Sequence, residues 1–400
     1  MSDVDLEDLG IAEGAHLLVE RALARDATVV VRGTSPTLAI DLPAWARTRG
    51  HRVEAMPRDG GLDIGGEAVR PPTRFALTRA STSRWAGAER AGHAGAPADH
   101  ASLRWGLAAR GALVEAGAPA LDFPLVDKRD VWADEAAKLY AQAAAAQWDP
   151  ATAIPWDAPI EHPAEVEDAI VQIMTYLIEN ETAALLVPTR FLARLHPHFR
   201  EVMQLLAIQA ADEARHVEVF TRRARLRRDV LGLSTAGGQA SLATLFDEPD
   251  FAIASFLLSV LGEGSFLSLL WFIRDHAPDA CTRKVAQLAA QDEARHVAFG
   301  LAHLARHVDE EPALRERLAA AIERRHAALA HTAGLNAEVF DALVLLAAGS
   351  WGPQDLRRGH AAVVELVRQM DTGRTQRLVR LGFSDDRARA LSALHTRNFM

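Results

Sequence analysis

The 400-residue chain contains one cysteine, Cys281, two tyrosines and no excess of basic residues. One cysteine excludes an intrachain disulfide framework and any zinc or iron–sulfur site built from several thiolates of one chain. A net charge of −9 disfavours nucleic acid as a partner, because affinity for phosphates rests on lysine and arginine. The acidic start lacks the pattern of a secretory signal, and no run of about 18 uninterrupted apolar residues predicts a membrane span. We therefore expect a cytoplasmic protein outside the membrane.

The remaining composition is that of an ordinary globular chain, with 49% apolar and 24% charged residues. Because domains usually hold about 100–200 residues, two or three domains are expected. Residues 1–70 change pattern every dozen positions, which is typical of a small α/β unit. A helix over 15–24, a strand over 27–31, a helix from Ser35 to Gly50, a strand over 51–56, a turn at 58–61 and a final strand are predicted. An exposed edge of this sheet would allow a homodimer.

The first unit resembles the small TusA-like sulfur-carrier domain, chiefly over the string VVVRGTSPTLAIDLPAWARTRGHRVEAM. In that family a Cys-Pro-x-Pro motif opens the first helix, and its thiol carries sulfur. Ala12 and Glu13 stand near that place here, so the thiol and the first proline are absent. The resemblance implies the fold, and because the thiol is missing, a docking or dimerising appendage is expected in place of a persulfide carrier.

Residues 71–130, rich in Arg, Ala, Gly and Pro, are interpreted as a linker with short helices. From Trp132 onward helical periodicity continues nearly to the end of the chain. Residues 131–310 are predicted to form a helical bundle, with 311–400 as a helical extension packing on it. The predicted helices are 132–147, 164–187, 198–228, 250–276, 279–307, 312–331, 337–348, 354–370 and 385–395. The expected fold class is mainly α.

The hexapeptide Asp-Glu-Ala-Arg-His-Val occurs twice in the helical part, at 212–217 and at 292–297. In each copy Glu and His are three positions apart, so on a helix both side chains lie on one face and can reach one ion. A doubled Glu-x-x-His matches the di-metal carboxylate bundle, in which two further helices each add one Glu. Glu213, His216, Glu293 and His296 are therefore candidate metal ligands.

The other two carboxylates are sought on the apolar stripes of the preceding helices. The stripe Phe256, Ser259/Val260, Glu263, Phe266/Leu267, Leu270 contains one acid, Glu263. On the first helix the stripe passes through Glu181, while Glu179 lies among polar neighbours. Glu181 is preferred, with Glu179 kept in reserve.

This set resembles the ferritin-like di-iron carboxylate superfamily, which includes bacterial multicomponent monooxygenases, acyl-carrier desaturases and the ribonucleotide reductase small subunit. The string Asn180-Glu181-Thr182-Ala183-Ala184, with Arg190 following, is similar to the first-ligand helix of the monooxygenase hydroxylases. The resemblance implies a four-helix bundle that holds two iron ions, or manganese at one or both positions. The implied ligands are Glu181, Glu213, His216, Glu263, Glu293 and His296.

Residues around these ligands have two interpretations each. Asp212 and Asp292 could accept the outward N–H of a ligating His, or they could be solvent-facing charges. Arg215 and Arg295 could pair with those aspartates or lie on a solvated helix face. The apolar residues near Glu263 are expected to line a substrate cavity: Phe256, Phe266, Leu267 and Leu270.

The expected function is an oxidoreductase, an oxidase or monooxygenase that uses dioxygen to oxidise a small organic substrate. An external donor such as a ferredoxin or a flavin reductase would supply electrons, because the sequence shows no flavin, haem or iron–sulfur motif. The alternatives are a ferritin-like ferroxidase and a metal-stabilised interaction protein. A radical-storing tyrosine is missing one turn after each ligand His, where Phe220 and Gly300 stand, and Ala289 stands where some N-oxygenases place an extra His.

Overall fold

A computed structural model describes residues 2–57, 72–81, 85–329 and 337–394. The chain divides into two compact units, one of residues 1–90 with 113–118 and one of residues 91–112 with 119–400. The turn predicted at 58–61 and the strand predicted to follow it before residue 70 lie outside the described residues. Each unit is described by itself.

The first unit is a four-stranded sheet with two helices. Its elements are β1 (Ser2–Asp5), α1 (Ala15–Arg25), β2 (Thr28–Gly33), α2 (Leu38–Thr48), β3 (Arg52–Ala55) and β4 (Thr73–Thr78), followed by the short pair β5 (Glu89–Arg90) and β6 (Leu113–Val114). The strand order is β1-β2-β4-β3, with β1 parallel to β2 and the other pairs antiparallel. Apolar residues of both helices and of the inner sheet face form one core.

Two strands of this sheet were not predicted from the sequence. β1 reads Ser-Asp-Val-Asp, and its two aspartates hide the strand signal because Asp is depleted in strands. β4 lies inside the stretch that we expected to be a linker, yet its alternation buries Phe75 and Leu77 and pairs it with β2 and β3. Residues 73–78, which the sequence placed in the linker, therefore form a strand of this sheet.

From Lys128 onward the regular elements of the second unit are helices, while its residues 91–112 and 119–127 are mostly loop. Its elements are α3 (Lys128–Val131), α4 (Ala136–Ala145), α5 (Ala164–Leu192), α6 (Arg200–Ala224), α7 (Ala236–Phe246), α8 (Phe251–Ser255), a π-helical segment (Phe256–Glu263), α9 (Gly264–His276), α10 (Ala280–Glu310), α11 (Leu314–Leu329), α12 (Ala337–Ala348), α13 (Pro353–Arg380) and α14 (Asp385–Ala393). Most predicted helices agree to within a few residues. α13 continues to Arg380 and α7 was not predicted.

Four long helical stretches form a bundle: α5, α6, the continuous stretch from α8 to α9, and α10. α5 packs along α6 and α9 along α10, while α12 lies on α5 and α13 on α9. α5 and the stretch Phe251–His276 are long and apolar enough to cross a membrane, but 67% and 83% of their most apolar windows are buried inside the protein. Such burial is typical of core helices, so these two helices are weak evidence for a membrane-spanning protein.

The π-helical segment is held by close contacts with its neighbours. Arg377 of α13 donates from Nε to the Val260 carbonyl at 2.7 Å. A Cβ on Gly264 would lie 2.5 Å from the Arg377 guanidinium, and a Cβ on Gly300 would lie 2.6 Å from Ser259. Because neither position has room for a side chain, both glycines allow the approach that fixes this segment.

The ends of α5, α6 and α10 are joined by a buried ion cluster. Arg223 of α6 donates to both oxygens of Glu167 at 2.8 and 3.0 Å, to Asp279 at 2.9 Å and to the Thr282 hydroxyl at 2.6 Å. His162 lies 2.6 Å from the other side of Glu167. The cluster fixes the relative positions of three helices that carry candidate ligands.

Candidate metal centre

Six acidic and imidazole side chains converge in the core of the bundle. They are the sequence-predicted Glu181 on α5, Glu213 and His216 on α6, Glu263 at the end of the π-helical segment, and Glu293 and His296 on α10. All six are buried, with exposed fractions of 4% or less. Glu179, the reserve candidate, is part of neither of the ligand groups described below.

The six side chains form two overlapping groups, each able to hold one ion. Glu181, Glu213, His216 and Glu293 make one group, and Glu213, Glu263, Glu293 and His296 make the other, with ligand atoms within 4.8 Å of one another. Glu213 and Glu293 belong to both groups. Each site therefore has its own His and its own Glu, and two shared carboxylates stand between them.

Each imidazole turns Nδ1 toward the carboxylates. His216 Nδ1 lies 3.1 Å from Glu213 Oε2 and 3.4 Å from Glu293 Oε1. His296 Nδ1 lies 3.0 Å from Glu213 Oε1 and 3.3 Å from Glu293 Oε2. Nδ1 is thus the nitrogen available to a bound ion.

The donor set fits two divalent cations. Among the described residues, Glu181 Oε1, Glu263 Oε2 and Glu293 Oε1 are buried without a hydrogen-bond partner. Buried polar atoms normally find partners, so these oxygens leave coordination capacity unused. Four carboxylates would offset the charge of two divalent ions, and oxygen donors with two imidazoles suit iron or manganese. The cluster is therefore able to bind two metals.

Crowding of these groups in a dry core shifts their protonation equilibria. Burial, reinforced by Glu213 and Glu293, raises the pKa of Glu181, and burial with the charge of Glu293 raises the pKa of Glu263. Glu213 has a lowered pKa although burial opposes it, because both imidazoles stabilise its charge. The pKa of His216 is raised against the effect of burial by the surrounding carboxylates. The four buried carboxylates therefore carry more negative charge than the two imidazoles balance, and bound cations would offset it.

Each of the two aspartates, Asp212 and Asp292, contacts the histidine of the other motif. His216 Nε2 lies 3.2 Å from Asp292, and His296 Nε2 lies 3.3 Å from Asp212. Each aspartate therefore accepts the outward N–H of the His in the other motif, which leaves Nδ1 of that His free for a metal. Burial would raise the pKa of Asp292, but His216, Arg215 and Trp148 hold it well below its usual range.

Both arginines of the motifs contact these aspartates. Arg215 donates to Asp212 at 2.5 Å and to Asp292 at 2.9 Å, and Arg295 pairs with Asp292. Gln147 and Trp148, which follow α4 and were not predicted to contact the site, also bond to these aspartates. Trp148 Nε1 donates to Asp292 and the Gln147 amide to Asp212, each at 2.8 Å. A polar layer thus covers one side of the cluster.

A small, mostly apolar cavity of about 20 Å³ lies on another side of the cluster, enough for about one water-sized molecule. It is lined by Asn180, Glu181, Ala184, Leu242, Leu245, Leu258, Gly262, Glu263, Phe266 and Glu293. Of the predicted cavity residues, Phe266 lies on its wall. Phe256 and Leu270 are fully buried in the surrounding core, Leu267 is packed against it, and none of the three lines this cavity. Leu258 and Gly262 of the π-helical segment line the cavity instead.

Gln209 is a further polar neighbour that sequence reasoning missed. Its amide donates to Glu263 Oε1 at 3.1 Å and is 2% exposed. Gln209 lies four residues before Glu213, on the same face of α6, so helical spacing alone could have suggested it.

No protein-family model and no curated protein matches the chain. Solved structures give partial matches. An R2-like ligand-binding oxidase variant with an Mn/Fe cofactor is 18% identical, with a TM-score of 0.47 over 60% of this chain and 93% of that chain. "Protein 19" with aldehyde deformylating oxidase activity from Synechococcus is 19% identical, with a TM-score of 0.42 over 57% of this chain and 96% of that chain. An R2-like ligand-binding oxidase from Sulfolobus acidocaldarius is 17% identical, with a TM-score of 0.42 over 64% and 94%.

Identities and scores of this size carry no argument about activity, and the sulfur-carrier resemblance of the first unit finds no support in these comparisons. The fold rests on the helices themselves. A Glu from each of two helical stretches and a Glu-x-x-His from each of two others, all facing inward, define the ferritin-like di-metal arrangement. The chain is therefore mainly helical, with a ferritin-like bundle whose core can bind two metals.

Proposed function

We propose that the protein is an oxidoreductase, a di-metal oxidase or monooxygenase that uses dioxygen to oxidise a small organic substrate. The observation that carries the proposal is the pair of ligand groups sharing Glu213 and Glu293, with a small, mostly apolar cavity against Glu181, Glu263 and Glu293. The metals are iron, with manganese in one or both positions as the alternative, because both ions accept mixed carboxylate and imidazole ligands.

Two redox metals in these positions would together supply the electrons that dioxygen takes up. The residues of the chain have separate tasks around them. Glu213 and Glu293 would hold both ions, Asp212 and Asp292 would orient the imidazoles, and the mostly apolar cavity would give the substrate side an apolar wall.

Electrons are proposed to come from an external donor, a ferredoxin or a flavin reductase. Trp148 is half-buried and bonded to Asp292, which in turn bonds His216. This hydrogen-bonded series connects the surface with one ligand and gives reducing equivalents a short path inward. For the first unit, which lacks the carrier thiol, docking or homodimer formation is the proposed role.

The test is metal content per chain after growth with iron and manganese, together with reductant-dependent oxygen uptake. We expect about two ions per chain, with the number lost or halved in Glu293→Ala and unchanged in Glu179→Ala, a matched acid on α5 outside both ligand groups. Absence of transition metal even after anaerobic reconstitution would contradict the proposal. Uptake driven by added ferrous iron, with no organic substrate supporting it, would identify a ferroxidase instead.

A further inference from the structure

Next to the cavity lies a group of polar side chains with no place in the metal cluster: Tyr176 and Asn180 on α5, Ser241 on α7 and Arg325 on α11. We refer to these four residues as the polar lobe. All four are buried, with exposed fractions of 8% or less.

Two of its polar atoms have no partner among the residues that the structure describes. Asn180 lines the cavity; its amide nitrogen donates to the Tyr176 carbonyl at 2.7 Å, while its Oδ1 is unbonded. The Tyr176 hydroxyl is likewise buried without a partner in hydrogen-bond geometry, and the Asn180 side chain is the polar group beside it. The Tyr176 ring stacks on Phe266, a wall residue of the cavity, with centroids 5.8 Å apart. The Tyr176 ring thus lies directly behind the cavity wall.

Arg325 brings a buried positive charge to the same place. Its Nη2 donates to the Ser241 hydroxyl at 2.9 Å, and within the described ranges no carboxylate pairs with it. Burial lowers the pKa of Arg325 to about 10, and the nearby Tyr176 phenol is the group that opposes this. Arg223, an equally buried arginine, is instead neutralised by Glu167 and Asp279. A buried cation without a counter-ion is costly, so an anion that reached Arg325 would be bound favourably.

Resting on the proposed oxidase function, we propose that the polar lobe binds the carboxylate of a small organic acid whose apolar body extends through the cavity toward the metals. Tyr176 precedes Glu181 by five residues on α5, an axial rise of about 7.5 Å. A chain of about six bonds spans that length. The carboxylate would therefore sit at the far end of the substrate, and the carbon next to the metals would be the one oxidised.

Such a ligand needs more room than the cavity has at rest. Leu242 and Leu245 form the α7 side of its wall, and Gln239 and Ala243 on the other side of the same helix are exposed. Because α7 is short and open on that face, an outward shift of these two leucines is the least obstructed way to admit the acid.

The test is calorimetric titration of hexanoate, with hexan-1-ol as the uncharged comparison. Metal-free and metal-loaded protein are both titrated, because a carboxylate that binds to the ions requires the metal whereas one that binds to Arg325 does not. We expect hexanoate to bind both forms and hexan-1-ol to bind at least about tenfold more weakly, since a hydrogen-bonded charge contributes about 1.5–3 kcal/mol.

Arg325→Gln is expected to lower hexanoate affinity about tenfold or more while leaving hexan-1-ol binding and the metal content unchanged. Tyr176→Phe, which keeps the ring on Phe266, is expected to lower it several-fold and serves where Arg325→Gln fails to fold. Arg374→Gln is the matched control, since Arg374 is as buried but bonds Ser265 and Ser392 away from the lobe. Hexanoate binding that requires metal and ignores both substitutions, or no hexanoate binding to either form, would overturn the inference. Metal content and oxygen uptake, measured separately, report on the oxidase proposal.

Discussion

Replacement of Arg223 by methionine tests the idea that a buried ion cluster sets the positions of the ligand-bearing helices. Arg223 is fully buried and makes four hydrogen bonds, two of them with the two oxygens of Glu167. Methionine keeps an apolar stem of similar length, so the loss is mainly electrostatic. It leaves two buried carboxylates with the His162 imidazole as their remaining close neighbour, and breaking a buried pair in this way costs about 3–5 kcal/mol.

The measurement is urea unfolding of the wild-type protein and the variant, followed by tryptophan fluorescence. Arg228→Met is the control, because Arg228 also lies at this end of the bundle but pairs with the exposed Asp168. The control is expected to unfold at the same urea concentration as wild type, since surface pairs contribute little. If Arg223→Met lost no more stability than Arg228→Met, the cluster would not hold the helices and the reasoning would fail.

The same pair of proteins makes a prediction about pH. Burial opposes ionisation of Glu167 and Asp279, but Arg223 lowers the pKa of both carboxyls below their ordinary values. A lowered pKa in the folded state stabilises the protein above the unfolded pKa of about 4, and this stabilisation is lost as the pH falls through the folded value. The difference in unfolding free energy between wild type and Arg223→Met should therefore shrink below pH 4. A difference that stays constant on acidification would contradict this assignment.

Three further outcomes are expected. Glu293→Ala should lower metal content and oxygen uptake far more than Glu179→Ala, as measured by elemental analysis and an oxygen electrode; equal losses would refute the choice of cluster. Asp212→Asn should weaken metal affinity about 10–100-fold in a chelator competition, because the imidazole of the other motif loses its orientation, and an unchanged affinity would remove that role. Gly264→Ala should lower the free energy of unfolding by about 1–3 kcal/mol, since its methyl group displaces Arg377, and a neutral effect in urea unfolding would show that Arg377 moves freely.

The ligand set was accessible from the sequence because it depends on local spacing. Glu-x-x-His places two side chains on one helix face, and the apolar stripe singles out Glu263 as the acid that faces the core. The structure brings all six predicted ligands together, although their binding of metal remains a prediction. The helical periodicity also located most of the long helices to within a few residues.

The features that sequence missed depend on contacts between distant segments or on irregular backbone. A stripe with 3.6 residues per turn cannot foresee the π-helical turn, which is why Phe256 was expected on the cavity wall and Leu258 was not. α7 carries two adjacent glycines and a mixed polar face, so its propensity is weak and packing on α5 decides its conformation. Arg325 approaches Ser241 and Tyr176 through tertiary packing that no local pattern encodes.

The shared carboxylates have a consequence for metal identity. Each position has the same inventory of protein donors, namely one imidazole, one carboxylate of its own and two carboxylates held in common. A preference for different metals at the two positions cannot come from this equal inventory. It has to come from what breaks the local two-fold symmetry: Gln209 bonds Glu263 on one side, while Asn180 stands beside Glu181 on the other. Substitution of these neighbouring residues, with the six ligands unchanged, is therefore the way to change which metal occupies each position.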